Sequence, residues 1–337
     1  MTASGGQGIP QGAGASAAEE RGSDSASSRS LWYPHLGLLL VYILWGVNTA
    51  SMKVGGAAWD PFVFNGLRYA IVAPLLWLTV APSFRKRGIS FRMERRDFAL
   101  ILGLGALSAV GMEALLSYAL QYSNVANGSV LGRGVMPIFT VLFALALREM
   151  RMSPRIWIGL PLAFAGAVVI VAGGGGLHFG AETVRGDALL LLRSVFGAIY
   201  LIGMSRLTSR YPLMLLVAWE MTAGAAALLP YALWKADAAL IASIPPMGWA
   251  SLAYTALLAT LVGFTLHNWS LARIGAFRAS FYGYTMPITA AASGYLLLGE
   301  TITPYQIVGG AAVLAAMYLV QSRGAKANPQ PKAQESS

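Results

Sequence analysis

Residues 127–147 read NGSVLGRGVMPIFTVLFALAL, an apolar stretch in which Arg133 is the one charged residue. About 20 apolar residues in an α-helix cross the ~30 Å hydrocarbon core of a bilayer. Because lipid offers the backbone no hydrogen bonds, only a helix or a closed β-barrel can span it. The stretch lacks the alternation of polar and apolar residues that barrel strands show. The sequence therefore predicts a transmembrane helix here.

Stretches of this kind recur along the whole chain. Of the 337 residues, 56% are hydrophobic and 11% are charged, whereas soluble domains contain about 25% charged residues. So few charges cannot coat the surface of a soluble protein of this size. We predict an all-α polytopic membrane protein with ten transmembrane helices, at about residues 35–53, 61–82, 98–121, 127–147, 156–175, 187–205, 212–234, 247–270, 277–298 and 304–321.

The composition also excludes several kinds of chemistry. The net charge is +10, but the basic residues are spread between apolar runs, which argues against nucleic-acid binding. The chain has no cysteine and three histidines, His35, His178 and His267, so we expect no thiolate site and no histidine-rich metal site. The glycine run at 173–176 lacks the Lys and Ser or Thr of a phosphate-binding loop. We expect neither a metal nor a cofactor.

Basic residues predict how the chain is oriented in the membrane. The terminal segments 1–33 and 323–337 are polar and rich in small residues, which predicts disordered tails. With the N-terminus in the cytoplasm, the outer loops contain only Lys53, Arg185 and Lys235. The inner loops then contain Arg85, Lys86, Arg87, Arg92, Arg95, Arg96, Arg148, Arg151, Arg155, Arg206, Arg210, Arg273 and Arg278. The positive-inside rule thus places both termini in the cytoplasm.

The two halves of the chain resemble each other at a shift of about 150 residues. The matches, in order, are Gly46 with Gly197, Met136-Pro137-Ile138 with Met286-Pro287-Ile288, and Ser153-Pro154 with Thr303-Pro304. This predicts two five-helix repeats, at residues 34–176 and 187–322. Since five is odd, the second repeat is inverted in the membrane. Inverted repeats are typical of secondary transporters that bind substrate near the midplane, between the halves.

Short motifs lie at ordered places within both repeats. They are Trp45-Gly46-Val47-Asn48 with Lys53 in the first span, Arg68-Tyr69 in the second, Pro137 and Pro287 in the fourth and ninth, the turns Arg148-Glu149 and Gly299-Glu300, and then Gly159 and Gly309. In their order and spacing these motifs resemble the drug/metabolite transporter superfamily, in its ten-helix form with two EamA domains. The resemblance covers about residues 36–322.

The resemblance implies an exporter of amino acids or other metabolites in a bacterial cytoplasmic membrane. Spans 1, 3, 4, 6, 8 and 9 would line a central cavity through which access alternates. Pro137 and Pro287 lie at equivalent points of inverted spans, and proline permits a helix to bend. We therefore predict that these two prolines are gating residues.

Charged residues within the spans are candidate functional groups, because intramembrane charge is costly unless it is paired or hydrated. At a rise of 1.5 Å per residue, Arg68, Arg133 and Arg193 lie at about the same depth as Glu113. Three arginines and one glutamate then share one slab of the membrane. Each of them has an alternative structural role, such as neutralising a neighbour or extending towards water. Glu220 and His267 lie nearer the inner side, and the sequence leaves their roles open.

Excess positive charge in this slab predicts the class of substrate. A substrate carboxylate would neutralise Arg133 through charge-assisted hydrogen bonds, while Glu113 binds the substrate amino group or orients Arg133. Aromatic rings would cover an apolar side chain. The predicted binding residues are Trp45, Asn48, Glu113, Arg133, Tyr200 and Tyr282. A small carboxylate-bearing metabolite is the expected ligand, most simply an amino acid with an apolar or aromatic side chain.

Several alternatives remain open at this level. Other metabolites or drugs are possible cargo for a transporter of this type. An intramembrane enzyme would need a dyad such as Ser129 with His267, although the sequence around Ser129 is not a recognised nucleophile turn. A channel is a third alternative. The small residues Gly159, Ala163 and Ala167 permit close helix packing, and we expect a monomer or a weak homodimer within the lipid bilayer.

Overall fold

The computed structural model describes residues 13–146, 154–173, 181–274, 282–283 and 285–321. Within these ranges every extended regular element is a helix. We number the ten membrane helices α1 to α10. They are α1 (Ala13–Ala58), α2 (Pro61–Lys86), α3 (Arg95–Ala119), α4 (Val125–Ser129, Val130–Gly134 and Met136–Ala146), α5 (Pro154–Gly173), α6 (Ala181–Thr208), α7 (Leu213–Lys235), α8 (Pro246–Ala253, Tyr254–Val262 and Gly263–Ile274), α9 (Thr285–Leu298) and α10 (Pro304–Gln321).

The ten helices agree with the ten predicted spans. Among the described residues, seven helices are long and apolar enough to cross a membrane, and α5, α9 and α10 contain shorter apolar helices. Large apolar side chains such as Leu78, Phe164 and Trp234 are exposed on the outside of the bundle. In a soluble protein such exposure would be costly, whereas lipid accommodates it. The prediction of an all-α polytopic membrane protein is confirmed.

Two boundaries differ from the sequence prediction. The backbone of α1 is already helical from Ala13, although residues 1–33 were predicted to be disordered. Ser is the commonest residue of the segment 13–33, but its five Ala favour helix, and the segment extends an existing helix without a new nucleus. Similarly, α6 begins at Ala181, before the predicted start of the second repeat at 187. Residues 1–12 and the predicted tail at 323–337 lie outside the described part of the chain.

Local sequence explains where individual helices begin and end. Asp60 caps α2, since its Oδ1 accepts hydrogen bonds from the backbone N–H of Phe62 at 2.9 Å and of Val63 at 3.1 Å. Pro61 follows as the first helical residue, where a missing N–H costs nothing. At the C-terminal end of α9, Gly299 has a φ of 66°, a conformation that glycine adopts without strain. The turn directs Glu300 back towards the bundle.

Helix packing has the two-fold pattern that two repeats produce. Helix α1 packs against α9 and α8, and the equivalent helix α6 packs against α4 and α3. Helix α2 packs against its equivalent α7, and α5 packs against α10. When each helix is replaced by its equivalent in the other repeat, the pairings of α1 become those of α6. The pairings α2–α7 and α5–α10 remain unchanged. The cavity-lining helices expected from the sequence are thus paired across the two repeats.

Gly46 and Gly197, which the repeat aligns, both lie where two helices approach closely. A Cβ atom on Gly46 would lie 1.8 Å from Thr289 Oγ1 of α9, and one on Gly197 would lie 2.3 Å from Met136 Sδ of α4. Neither distance is sterically possible, so glycine permits both approaches. The repeat seen in the sequence is therefore a repeat of packing as well.

Three helices contain π-helical segments, and two of these segments are equivalent in the repeats. They are Leu107–Ala114 in α3, Tyr254–Val262 in α8 and Val130–Gly134 in α4. A shift of 150 residues places the α3 segment on residues 257–264, which overlap the α8 segment. Isolated π-turns are frequent at functional sites, because the wider turn changes which residues face inward. Glu113 and Arg133 both lie in such segments.

Candidate functional site

Glu113 lies at the centre of a buried cluster of charges, which we call the Glu113 cluster (Arg68, Glu113, Arg133 and Arg193). Its Oε2 is 2.9 Å from Arg68 Nη1, and its Oε1 is 3.2 Å from Arg193 Nη2 and 3.7 Å from Arg133 Nη2. Helices α2, α3, α4 and α6 each contribute one residue. The structure thus brings together the four residues that depth arithmetic placed in one slab. One carboxylate facing three guanidinium groups leaves a local excess of two positive charges.

Two of these arginines donate hydrogen bonds to the protein through Nε as well as through terminal nitrogens. Arg193 donates from Nε to Met112 O at 3.1 Å and from Nη1 to Gly132 O, so it joins the π-segments of α3 and α4. Arg68 donates from Nε to Thr260 Oγ1 of α8 at 3.0 Å and from Nη1 to Glu113. Their side chains are 2% and 5% exposed. These arginines hold helices together, and Arg193 does not extend towards water.

Arg133 differs from the other two arginines. Its side chain is 22% exposed, and its 3.7 Å approach to Glu113 is too long for a hydrogen bond. Its Nε has no hydrogen-bond partner in the described part of the chain. A guanidinium group offers five donors in a planar fork. Arg133 therefore retains donors that an incoming anion can use, as the sequence analysis predicted for a substrate carboxylate.

The equivalent region of the other repeat contains aromatic rings in place of charges. Trp45 donates from Nε1 to Ala259 O, 2.8 Å away in the π-segment of α8. Its ring lies 5.4 Å from Tyr42, 5.4 Å from Phe264 and 5.1 Å from His267, measured between centroids. We call these four residues the Trp45 cluster. His267 thus packs among rings, and Trp45 and Arg193 each bind a π-segment of the opposite repeat.

The remaining predicted binding residues lie at separate places. Asn48 is 3% exposed, and its Oδ1 has no hydrogen-bond partner among the described residues. The hydroxyl oxygen of Tyr282 lies 2.6 Å from Nδ1 of His35. His35 is near the start of the apolar part of α1. Tyr200 donates its hydroxyl to Glu220 Oε2 at 2.8 Å. The structure therefore joins Glu113 with Arg133, whereas Tyr200 and Tyr282 make their polar contacts elsewhere.

Both predicted gating prolines lie in the first turn of a helical piece. Met136 begins the last piece of α4, directly after a break at Val135, and Pro137 is its second residue. Pro287 is the third residue of α9. The first turn tolerates proline because the N–H that proline lacks has no partner there. The backbone of α4 is thus interrupted at its proline, while motion there stays a prediction.

An ion pair between two residues of the sequence motifs was missed by the sequence analysis. Lys53 at the end of α1 lies 2.6 Å from Glu300 Oε1 and donates to Ser123 O at 2.8 Å. The second oxygen of Glu300 accepts the backbone N–H of Val125, the first residue of α4, at 2.9 Å. These bonds fasten α1 to the α3–α4 and α9–α10 turns. The sequence singled out both residues as motif members, but their contact joins positions 247 residues apart.

A Ser129–His267 dyad is not formed. Ser129 is completely buried, and its hydroxyl has no hydrogen-bond partner in the ranges that the structure describes. His267 contacts the rings of Tyr42 and Trp45. A serine nucleophile needs its base within hydrogen-bond distance. The geometry gives the enzyme alternative no support.

Comparison with known families settles what kind of protein this architecture represents. The profile of the EamA-like transporter family matches residues 32–172 and again residues 184–322. The chain belongs to the EamA-like transporter family. Two copies of the domain correspond to the two repeats seen in the sequence and in the packing. The predicted membership of the drug/metabolite transporter superfamily is thereby confirmed, and the family is one of transporters rather than enzymes.

Individual relatives of this EamA-like protein have related descriptions. A probable amino-acid metabolite efflux pump of Salmonella typhimurium is 26% identical over 83% of this chain and 92% of its own length. A probable terminal-alkyne amino-acid exporter of Streptantibioticus cattleyicolor is 25% identical over 88% and 94%. An uncharacterised transporter of Archaeoglobus fulgidus is 27% identical over 86% and 97%. A solved crystal structure, 19% identical, shares the fold with a TM-score of 0.58 over 85% of this chain and 96% of its own.

Proposed function

We propose that this EamA-like transporter exports amino acids with apolar or aromatic side chains across the cytoplasmic membrane by alternating access. The observation that supports the proposal most directly is Arg133, a cation with free donors beside a carboxylate that two other arginines already bind. An amino-acid carboxylate would supply the negative charge that this cluster lacks. The names of the Salmonella and Streptantibioticus relatives support the same class of substrate.

Each of the two clusters would bind one end of the substrate. The Glu113 cluster would bind the charged end, and the rings of the Trp45 cluster would pack against the apolar side chain. Asn48 lies one helical turn from Trp45 on α1 and has a free, buried amide oxygen, which would accept a hydrogen bond from the substrate amino group. Access would alternate as α4 and α9 bend at Pro137 and Pro287. In this arrangement both termini face the cytoplasm.

Counterflow in proteoliposomes tests the proposal. The purified full-length chain would be reconstituted with unlabelled L-phenylalanine inside, and uptake of labelled L-phenylalanine would be measured. Competition by leucine, phenylalanine methyl ester, tetraphenylphosphonium and glucose would then define the substrate class. We expect saturable counterflow that the free amino acids inhibit and the ester does not. Counterflow of the organic cation in place of amino acids would support the drug-export alternative instead, and a unitary conductance would indicate a channel.

A further inference from the structure

Glu220 on α7 is, with Glu113 and Asp187, one of the buried carboxyl groups in the described part of the bundle. It is 2% exposed. Its Oε1 accepts a hydrogen bond from Ser108 Oγ at 2.7 Å, and its Oε2 accepts one from Tyr200 OH at 2.8 Å. Both donors are neutral hydroxyl groups, and no cation forms an ion pair with Glu220 in the described part of the chain.

The contrast with Glu113 shows what Glu220 lacks. Both carboxyl groups are buried in the same apolar bundle, but three arginines lie within ion-pair distance of Glu113 alone. Asp187, a further buried carboxyl group among the described residues, lies near the start of α6 and accepts hydrogen bonds from Ser123 and Asn127. A carboxylate inside a membrane span without a cation is costly, and the ways to remove that cost are to bind a cation or to take up a proton. Glu220 therefore has a need for positive charge that the protein itself does not meet.

Glu220 is also connected to the Glu113 cluster through two helices. Ser108 and Glu113 lie in one π-segment of α3, five residues apart, which is the spacing of a π-turn. Tyr200 lies two turns from Arg193 on α6. The two carboxyl groups are thus held by the same pair of helices. The ionisable groups near Glu220 are Tyr69 and Arg68 on α2, Glu113 on α3 and Tyr200 on α6, all close enough to interact with it electrostatically.

We propose that Glu220 is the proton-binding site of this transporter, and that the proton it binds is exchanged for the amino acid. The inference rests on the proposed function. An amino acid brings a carboxylate for Arg133 and an ammonium group that needs an anion. Arginines already surround Glu113, so charged Glu220 supplies the missing negative field. A protonated Glu220 supplies none. Substrate and proton therefore favour opposite states of one residue, which is the requirement for exchange.

Protonation would also alter the helix contacts. The carboxylate accepts from both hydroxyl groups, whereas the carboxylic acid must donate its new O–H to the oxygen of either Ser108 or Tyr200. One of those hydroxyl groups then has to turn away and find another acceptor. Since Ser108 belongs to α3 and Tyr200 to α6, the proton changes how α7 is joined to both helices. The protonation of Glu220 is thereby linked to the packing of α7 against α3 and α6.

A first test detects the proton directly and needs no substrate. Infrared difference spectra of the full-length protein in detergent would be recorded between mildly acidic and mildly alkaline buffer. We expect a carbonyl stretch of a protonated carboxyl group that is present in the wild type and absent in Glu220→Gln. Glutamine keeps the size of the side chain and, like the protonated carboxyl group, offers an acceptor oxygen and a donor group, so the variant should fold. A spectrum in which Glu220→Gln removes no such band would overturn the proposal.

A second test measures coupling in proteoliposomes with L-phenylalanine. For a one-to-one exchange, a gradient of one pH unit supports about a tenfold accumulation. We expect the wild type to accumulate phenylalanine against its gradient when protons flow the other way. In Glu220→Gln that accumulation should fall to about unity while counterflow stays measurable, and Glu220→Asp should restore part of it.

The outcomes separate the two proposals. Accumulation that persists in Glu220→Gln would overturn the proton site and leave amino-acid export intact. Absence of phenylalanine counterflow in the wild type would contradict the proposed function, and the infrared band would then decide on the proton site alone. Equal loss of accumulation and of counterflow in both variants would show that Glu220 is structural.

Discussion

Trp45 and Phe196 occupy equivalent positions in the two repeats, and each covers a glycine on the third helix of the other repeat. A Cβ atom on Gly263 would lie 2.8 Å from Trp45 Nε1, and one on Gly111 would lie 2.8 Å from Phe196 Cδ2. The ring positions differ by 151 residues and the glycine positions by 152. The π-segments of α3 and α8 contain or adjoin these glycines, so the contact lies where both helices widen.

The chemistry around this symmetric contact is not symmetric. Beside Phe196 lie Arg193 and the Glu113 cluster, whereas Trp45 is surrounded by Tyr42, Phe264 and His267. A substrate between the repeats would therefore meet charge on one side and rings on the other. This polarity matches a molecule with one charged and one apolar end.

Loss of the central carboxylate should destabilise the fold. In Glu113→Gln three arginines would remain buried without a counter-ion, which should cost about 3–5 kcal/mol of unfolding free energy. In Arg133→Gln, where the longest and most exposed contact is lost, the cost should stay near ~1 kcal/mol or below. Thermal unfolding in detergent, followed by tryptophan fluorescence, compares the two variants. Equal midpoints would contradict the central role of Glu113.

Two aligned glycines should differ in their tolerance of a methyl group. Gly46→Ala would force Thr289 and the adjacent backbone away, because Thr289 Cβ lies 2.7 Å from the new atom. Overpacking of this kind costs about 1–3 kcal/mol. Gly197→Ala meets the flexible thioether of Met136, which can turn aside. We expect a larger fall in thermal stability for Gly46→Ala, and the reverse order would show that the contacts are misassigned.

Membrane orientation follows from the basic loops and can be measured separately. The segment 83–97 contains six basic residues and should stay in the cytoplasm, since a short basic loop translocates poorly. The loop after α7 should lie on the other side. Alkaline phosphatase and green fluorescent protein, fused after Arg96 and after Asp237, should report opposite compartments. The same compartment for both positions would mean that the helix count is wrong.

The sequence predicts the structure best where a residue's depth in the membrane, or the order of helices along the chain, is enough to place it. The rise per residue placed Glu113 level with Arg68, Arg133 and Arg193, and all three lie within ion-pair distance of it. Rotation about the helix axis was not predictable. A π-turn adds a residue without any sign in the apolar pattern, and it shifts every side chain that follows it. For this reason the sequence did not show that Arg193 donates to the backbone of α3 and α4, whereas Arg133 Nε has no hydrogen-bond partner among the described residues.

Hydrogen-bond partners that are distant in the sequence were the other feature that could not be predicted. The sequence left Glu220 without a partner, although Ser108 and Tyr200, 112 and 20 residues away, both donate to it. Serine and tyrosine are common in membrane helices, so neither residue stood out. Pairs of opposite charge at matching depth were detectable, whereas a carboxyl group bound by neutral hydroxyl groups leaves no comparable signal in composition or spacing.

Removal of a gating proline should affect rate more than affinity. Pro287→Ala removes the fixed φ of proline and supplies a backbone N–H at the start of α9, where we predict the bend. A barrier higher by about 1 kcal/mol corresponds to about a fivefold fall in maximal counterflow. The half-saturation concentration should change less, because Pro287 is not among the groups that bind substrate. Pro137→Ala serves as the matched variant, and unchanged transport in both would remove the gating role.

Arg133 should bind the carboxylate of the substrate. Because its Nε has no partner among the described residues and Glu113 is 3.7 Å away, we expect an anion to form bidentate hydrogen bonds with it at little cost to the fold. Arg133→Gln should lose about 2–3 kcal/mol of binding, which is about a tenfold to hundredfold rise in half-saturation. Arg133→Lys should recover only part of the loss, since lysine has no planar fork.

The measurement is competition by phenylalanine and by its methyl ester in the wild type and in Arg133→Gln. The wild type should prefer the free acid, and the variant should lose that preference. Equal competition by the ester in the wild type would mean that Arg133 serves the protein and not the substrate.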